Sequence, residues 1–179
     1  MRKLFVSSCT LLAFATMANA ELFSAELTIQ HEVAASWKSE ETGSADAQLR
    51  ISEDGKSLSV FINVRGIGLS ELASAGHHGS LGPIHIHNLP QGGDQFFVLQ
   101  LPGQFDATGD GFTLTLEDWP IEAPGGGAKV SPKFVVEEIR SGNAYFGLHT
   151  SNVLCENADG QSIECAAPAT ALSGQIISD

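Results

Sequence analysis

Ala47-Gln48-Leu49-Arg50-Ile51-Ser52-Glu53-Asp54-Gly55-Lys56-Ser57-Leu58-Ser59-Val60-Phe61-Ile62-Asn63-Val64 is the stretch that decides the fold class. Ala47, Leu49 and Ile51 alternate with Gln48 and Arg50. Beyond the turn, Leu58, Val60, Ile62 and Val64 alternate with Ser57, Ser59, Phe61 and Asn63. A period of two sends successive side chains to opposite faces of a strand, so each half reads as a strand with one face on a core. Glu53-Asp54-Gly55-Lys56 is a hairpin signal, because Asp-Gly tolerates the positive φ that a tight turn needs. Two adjacent antiparallel strands are expected here.

The pattern repeats outward. Upstream, Leu27 and Ile29 alternate with Glu26, Thr28 and Gln30. Downstream, Ile84-His85-Ile86-His87 puts isoleucines on one face and histidines on the other. Gln95 to Leu101 (QFFVLQL) is apolar enough for a strand buried on both sides. Asp110-Gly111 introduces a hairpin-like run from Phe112 to Leu116. Ala144 to His149 (AYFGLH) reads as a strand with Ala144, Phe146 and Leu148 inward, and Ala171 to Ile177 (ALSGQII) as the last strand. One helix is expected: Ser131 caps it, Pro132 suits its first position, Val135, Val136 and Ile139 form its stripe, and Gly142 ends it. Pro120 to Gly127 is a loop, whose three glycines are not a phosphate cradle because no Gly-Lys-Ser/Thr follows. Short strands, Gly/Pro turns and a single helix define an all-β antiparallel sandwich or barrel. No internal repeat or long linker divides the chain, so residues 21–179 form one domain.

At 179 residues a folded chain buries roughly 70% of its unfolded surface, enough for an unaided core. The first twenty residues read as an export signal, with Arg2 and Lys3, an apolar stretch from Leu4 to Met17, and the small-x-small pattern Ala18-Asn19-Ala20. That stretch is shorter than the about 20 apolar residues a membrane span needs. A lipid-attachment reading of Val6-Ser7-Ser8-Cys9 leaves only Leu4 and Phe5 as hydrophobic segment ahead of it, and is weaker. The protein is therefore expected to be exported, periplasmic or extracellular, beginning at Glu21. Removing Arg2 and Lys3 leaves seven basic against 21 acidic residues, a net charge of −14. Such a field repels phosphate, so nucleic acid is excluded as a partner. Two cysteines then remain, Cys155 and Cys165, and an even pair in an exported chain reads as a structural disulfide.

Four of the six histidines lie between His77 and His87. Two residues apart on a strand, His85 and His87 share a face at roughly 6.5–7 Å along the chain and can lean onto one cation. His149 ends a strand on the side opposite Ala144, Phe146 and Leu148. If the two strands are neighbours, His85, His87 and His149 converge as a candidate metal site with a coordination position left open. Ligands of one metal must bring their rings within about 4–5 Å. An all-imidazole set suits copper or zinc, the expected cofactor. The plainer alternative has weight: with six histidines a chance His-x-His is expected about 0.2 times in this length. His77 and His78, between Gly76 and Gly79, are loop residues that could shield or extend the site, and His31 has no partner in sequence.

Nucleophilic catalysis has little support, since no Gly-x-Ser-x-Gly elbow is present and neither Cys155 nor Cys165 is free for attack if the two pair. No pair of carboxylates has an apolar setting that would raise one of them for acid catalysis. Glu40-Glu41 and Glu137-Glu138 read as solvated faces, and Trp37 and Trp119 as core or rim. No loop alternates Asp/Asn ligands for calcium.

Several blocks taken together resemble the CHRD (chordin-type) domain. Phe23-Ser24-Ala25-Glu26-Leu27 with Gln30-His31-Glu32-Val33, Thr42-Gly43 and Leu58 to Gly66 is similar to its opening. Ile84-His85-Ile86-His87 is similar to its His-x-His strand. Gly142-Asn143-Ala144-Tyr145-Phe146-Gly147-Leu148-His149-Thr150 is similar to its Gly-Asn-x-Tyr-x-x-x-His-Thr block, and Ser173-Gly174-Gln175-Ile176 to its closing run. The resemblance implies a small secreted or cell-surface β-domain of Greek-key type, distantly similar to the Cu,Zn superoxide dismutase fold, in a single-domain form of bacterial type. It implies no settled activity. The chain departs from the family pattern at Ser173, where Arg is usual, at Asn88, where Gly is common, and in the longer segment from Ser151 to Ala171.

Two functions follow as expectations. One is an exported metal-binding domain with His85, His87 and His149 as ligands, serving metal storage, metal transfer or, if it is an enzyme, copper-dependent redox chemistry such as superoxide dismutation. The other is a non-enzymatic interaction module whose acidic surface meets a protein or cell-envelope partner, with no metal.

Overall fold

A computed structural model describes residues 20–28, 37–38, 43–73, 82–88, 96–124, 129–151, 154–156, 162–164 and 170–179. Residues 1–19 of the expected leader, His31, His77, His78 and Cys165 lie outside them, and with Cys165 the expected disulfide. The elements are β1 (Glu21–Leu27), β2 (Trp37–Lys38), β3 (Ser44–Ile51), β4 (Ser57–Arg65), β5 (Ile84–Asn88), β6 (Val98–Gln100), β7 (Gln104–Ala107), β8 (Gly111–Pro120), β9 (Ala123–Pro124), β10 (Lys129–Val130), α1 (Pro132–Arg140), β11 (Ala144–His149), β12 (Leu154–Glu156), β13 (Ser162–Glu164), β14 (Thr170–Gln175) and β15 (Ile177–Ser178).

The hairpin at the centre of the sequence forms as its alternation predicts. β3 and β4 pair antiparallel from Ser44↔Arg65 to Ile51↔Leu58. Ala47, Leu49, Ile51, Leu58, Val60, Ile62 and Val64 are all buried. Gly55 takes φ +67° at the turn, and its amide donates to the Ser52 carbonyl at 2.9 Å. This hairpin sits inside a six-stranded sheet ordered β15-β1-β3-β4-β8-β7. A four-stranded sheet, β14-β11-β5-β6, packs over it. The two inner faces form one core in which Phe97, Phe112 and Phe146 are the largest fully buried side chains. The protein is thus an antiparallel β-sandwich with one short helix. Strands β4 and β8, and likewise β5 and β11, neighbour each other after the chain has visited the opposite sheet; these are connections of Greek-key type.

α1 ends where its capping residues require. The Ser131 hydroxyl accepts from the Phe134 amide, Pro132 opens the helix, and Val135, Val136 and Ile139 face the core. Gly142 at φ +71° lets the Asn143 amide reach the Glu138 carbonyl at 2.9 Å and its own amide reach Ile139 at 3.1 Å. That pair of bonds is the Schellman arrangement, which stops the helix and launches β11.

Five details differ from the expectation. Pro120 to Gly127, expected as a loop, instead ends β8 at Pro120 and contains β9, which pairs with β10. The run 95–101 gives only a three-residue strand, with Phe96 exposed and Phe97 buried. The terminal run divides, β14 joining the smaller sheet and β15 the larger. Strand β7 (QFDA) alternates over only four residues, too few to read as a strand; it forms a mostly exposed edge with Phe105 packed against the core. Ser59 is buried because a register shift opposite it brings the Asp118 amide onto its hydroxyl at 3.1 Å. Among the described residues no helix is long and apolar enough to cross a membrane.

Candidate functional site

β5 and β11 are direct neighbours, which is what a site shared by their histidines requires. The register sets His85 opposite Gly147 and His87 opposite Tyr145. Ile84, Ile86, Phe146 and Leu148 point into the core, so His85, His87, Tyr145, Gly147 and His149 share the outer face. His149 is held from both sides: its amide donates to the Pro83 carbonyl at 2.8 Å, and its carbonyl accepts from the Ala73 amide at 3.0 Å.

The outer face is not solvated at His85 and His149, whereas His87 is partly exposed. His85 and His149 are each only 6% exposed. Their Nε2 atoms lie 3.3 Å apart, and their rings are near-parallel at 26° with centroids 4.7 Å apart. His85 and His149 are diagonal neighbours across the strand pair, and Gly147 adjoins both. A Cβ at Gly147 would lie 3.5 Å from the Nε2 of His85, 3.5 Å from the Nε2 of His149 and 3.5 Å from the Cδ2 of His87. The three imidazoles therefore surround the one position on this face that has no side chain.

His87 is near this point without being part of the close pair. Its ring is 5.7 Å from that of His85 and tilted 59° to it. It lies against Tyr145, with centroids 6.2 Å apart and planes at 23°, and beside the exposed Phe96 at 6.5 Å. Its Nδ1 makes a long 3.4 Å contact to the Asn88 carbonyl. Burial holds its imidazole below the usual value of 6.5, against a weaker upward pull from that carbonyl. Among the described residues, no group of three or more His, Cys, Asp or Glu side chains is placed to hold a metal ion as it stands. Two of the three sequence-selected histidines meet; the third stands one ring away.

Cross-strand neighbours complete the face. Gln100 lies opposite His85 and Val98 opposite His87, while Ser173 lies opposite Gly147 on the other side. None of these is acidic or basic. Ser173, where the resemblance implies Arg, thus sets a small neutral side chain opposite Gly147.

The CHRD domain matches residues 23–153, well over half of the sequence. The chain belongs to the CHRD domain family. Within this CHRD domain all three histidines fall inside the matched span, whereas Cys155, Cys165 and the closing run Ser173 to Ile176 lie past its end. No curated protein and no solved structure matches the chain, so the distant likeness to the superoxide dismutase fold is carried by the resemblance alone. Gly147, Tyr145 and Phe96 were not singled out from the sequence. A glycine inside an otherwise apolar strand marks a place where something approaches closely, and that was the available signal for Gly147.

Proposed function

We propose that this CHRD domain is an exported metal-binding module, holding copper or zinc through the Nε2 atoms of His85 and His149 with His87 as third ligand. The supporting observation is the 3.3 Å between the two Nε2 atoms. Metal–imidazole bonds of about 2.0–2.1 Å at a tetrahedral angle spread two nitrogens by about 3.4 Å. The same separation serves the metal-free protein, in which one Nε2–H donates to the other Nε2. An ion can replace that proton without moving the backbone, provided the donating ring carries its proton on Nδ1 instead. A half-turn of the His87 ring about its Cβ–Cγ bond would put Nδ1 where Cδ2 now faces Gly147.

Storage or transfer of the ion suits such a site better than catalysis. Redox chemistry such as superoxide dismutation needs an open coordination position and a route for substrate. Export rests on the leader-like first twenty residues, and the disulfide on the even cysteine pair. Closing so short a loop would contribute roughly 2–3 kcal/mol.

The test is metal analysis of the untagged mature protein, followed by titration with Cu and Zn. Micromolar or tighter binding at one ion per chain is expected, lost in His85→Ala and in His149→Ala. Binding unchanged in both variants would sink the reading. Salt-sensitive capture of a partner with no metal bound would move the function to the acidic surface.

A further inference from the structure

Resting on the reading of residues 1–20 as an export leader, we infer that folding and leader removal exclude one another in this protein. The bond between Ala20 and Glu21 is cut before β1 joins the sheet, and a chain that folds first keeps its leader. Three observations at the junction carry this. The first is where the sheet starts: β1 begins at Glu21, the residue that follows the cut. Glu21 pairs with Ile51 at the end of the β1–β3 ladder, and Phe23, Ala25 and Leu27 beyond it are buried. The second is that β1 has a neighbour on each side. β3 takes one edge, and β15 pairs with Phe23 and Ser24 on the other. The Asp179 amide also donates to the Leu22 carbonyl at 3.3 Å. Recognition of an extended segment uses its main-chain hydrogen bonds, and those just past the cut are already made to β3 and to the C-terminal residues.

The third is that the residues on both sides of the bond are held. The Glu21 carboxylate accepts from Nε of Arg140 at 2.8 Å and from a second nitrogen of the same guanidinium, which ties it to α1. Ala20 is half-buried and lines a cavity together with Arg50, Leu58 and Asp118. A leader peptidase reads the small residues just before its cut, and Ala20 is instead held against the protein. Cutting the folded chain therefore requires the start of β1 to detach first. Proteolysis through such an opening slows in proportion to the fraction of chains that are open. Lengthening the junction removes the obstacle and leaves the sheet alone. Six Gly/Ser residues inserted after Ala20 reach up to about 20 Å, enough to carry the bond clear of the sheet.

The experiment is cleavage of the purified full-length chain by a leader peptidase in mild detergent, followed by mass spectrometry. Wild type is compared with the Gly/Ser insertion and with Phe146→Asp, which a carboxylate at a fully buried position keeps unfolded. Circular dichroism establishes which chains are folded. Folded wild type is expected to be cut at least about tenfold more slowly than either of the others. Equal rates for folded wild type and unfolded Phe146→Asp overturn the inference, and so does an insertion that fails to restore cutting of the folded chain. Cutting of any of the three after Ala20 still upholds the leader itself. If none is cut, the leader reading falls and this inference with it.

Discussion

The Nε2 atoms of His85 and His149 stand 3.3 Å apart across 64 positions of sequence. The contact exists because β5 and β11 are paired in one register and because Gly147, between the two rings, has no side chain. The metal-binding reading runs through it.

If an ion bridges the pair, it binds only the folded state and must stabilise it. At a free ion concentration 100 times the dissociation constant the gain is about 2.7 kcal/mol. For a domain of this size that corresponds to a rise in Tm of roughly 5–10 °C. Differential scanning fluorimetry with Cu or Zn should show the rise in wild type and none in His149→Ala; equal shifts in both would place the ion elsewhere.

Acid should weaken the fold through His87. Its folded value lies below 6.5 because burial penalises the charged ring. The unfolded chain takes up a proton near 6.5 that the folded one refuses, so folding stability is fully present above that pH. It declines as pH falls below 6.5 toward the lowered folded value. Urea midpoints measured across this window should drop on acidification, and His87→Gln should flatten the slope. Metal affinity should fall in the same direction, since protons compete for the same nitrogens. A midpoint that rises as the pH is lowered would contradict the assignment.

Phe146 lies fully buried between Tyr145 and Gly147 and points to the opposite face from them. Phe146→Ala should cost about 3–5 kcal/mol in chemical denaturation, through lost burial and the cavity left behind. A cost under about 1 kcal/mol would mean that this sheet does not rest on the core as described.

Gly174 tests the seam between the sheets. The end of β1 meets β14 through paired bonds, Thr28 N to Ser173 O at 3.1 Å and Ser173 N to Thr28 O at 3.0 Å. A Cβ at Gly174 would lie 2.4 Å from the Glu26 carbonyl oxygen, a backbone atom that cannot swing aside. Gly174→Ala should therefore destabilise by about 1–3 kcal/mol, while Gly147→Ala, with only ordinary contacts, should not. Equal stability of the two variants would show that the close approach is absent.

The helix cap gives a smaller, local effect. The Ser131 hydroxyl accepts from the Phe134 amide at 3.2 Å, and Ser131→Ala should cost about 1 kcal/mol. Thermal denaturation resolves this, and restoration by Ser131→Asp would confirm the capping role.

Much of this protein was legible from residues alone, for reasons that differ by element. Alternation revealed β3, β4, β5, β8 and β11 because one face of each must avoid water and the other need not. Capping residues bounded α1 because backbone groups at helix ends must find partners within a few residues. β7 stayed hidden because its alternation, Gln104 to Ala107, spans only four residues with a single large apolar side chain, Phe105. A different limit applied to the histidines: the period of two put His85 and His87 on one face, but could not say whether water covered it.

Local rules thus set the strands, their inward faces, the helix and its ends, together with the candidacy of His85, His87 and His149. Only the folded chain decided which of those histidines touch. Contact between β5 and β11 depends on strand order and register, which are fixed by core packing over the whole sandwich rather than by any short segment. The fold also gave Gly147 its meaning: a missing side chain becomes a space only once neighbouring strands have placed rings around it.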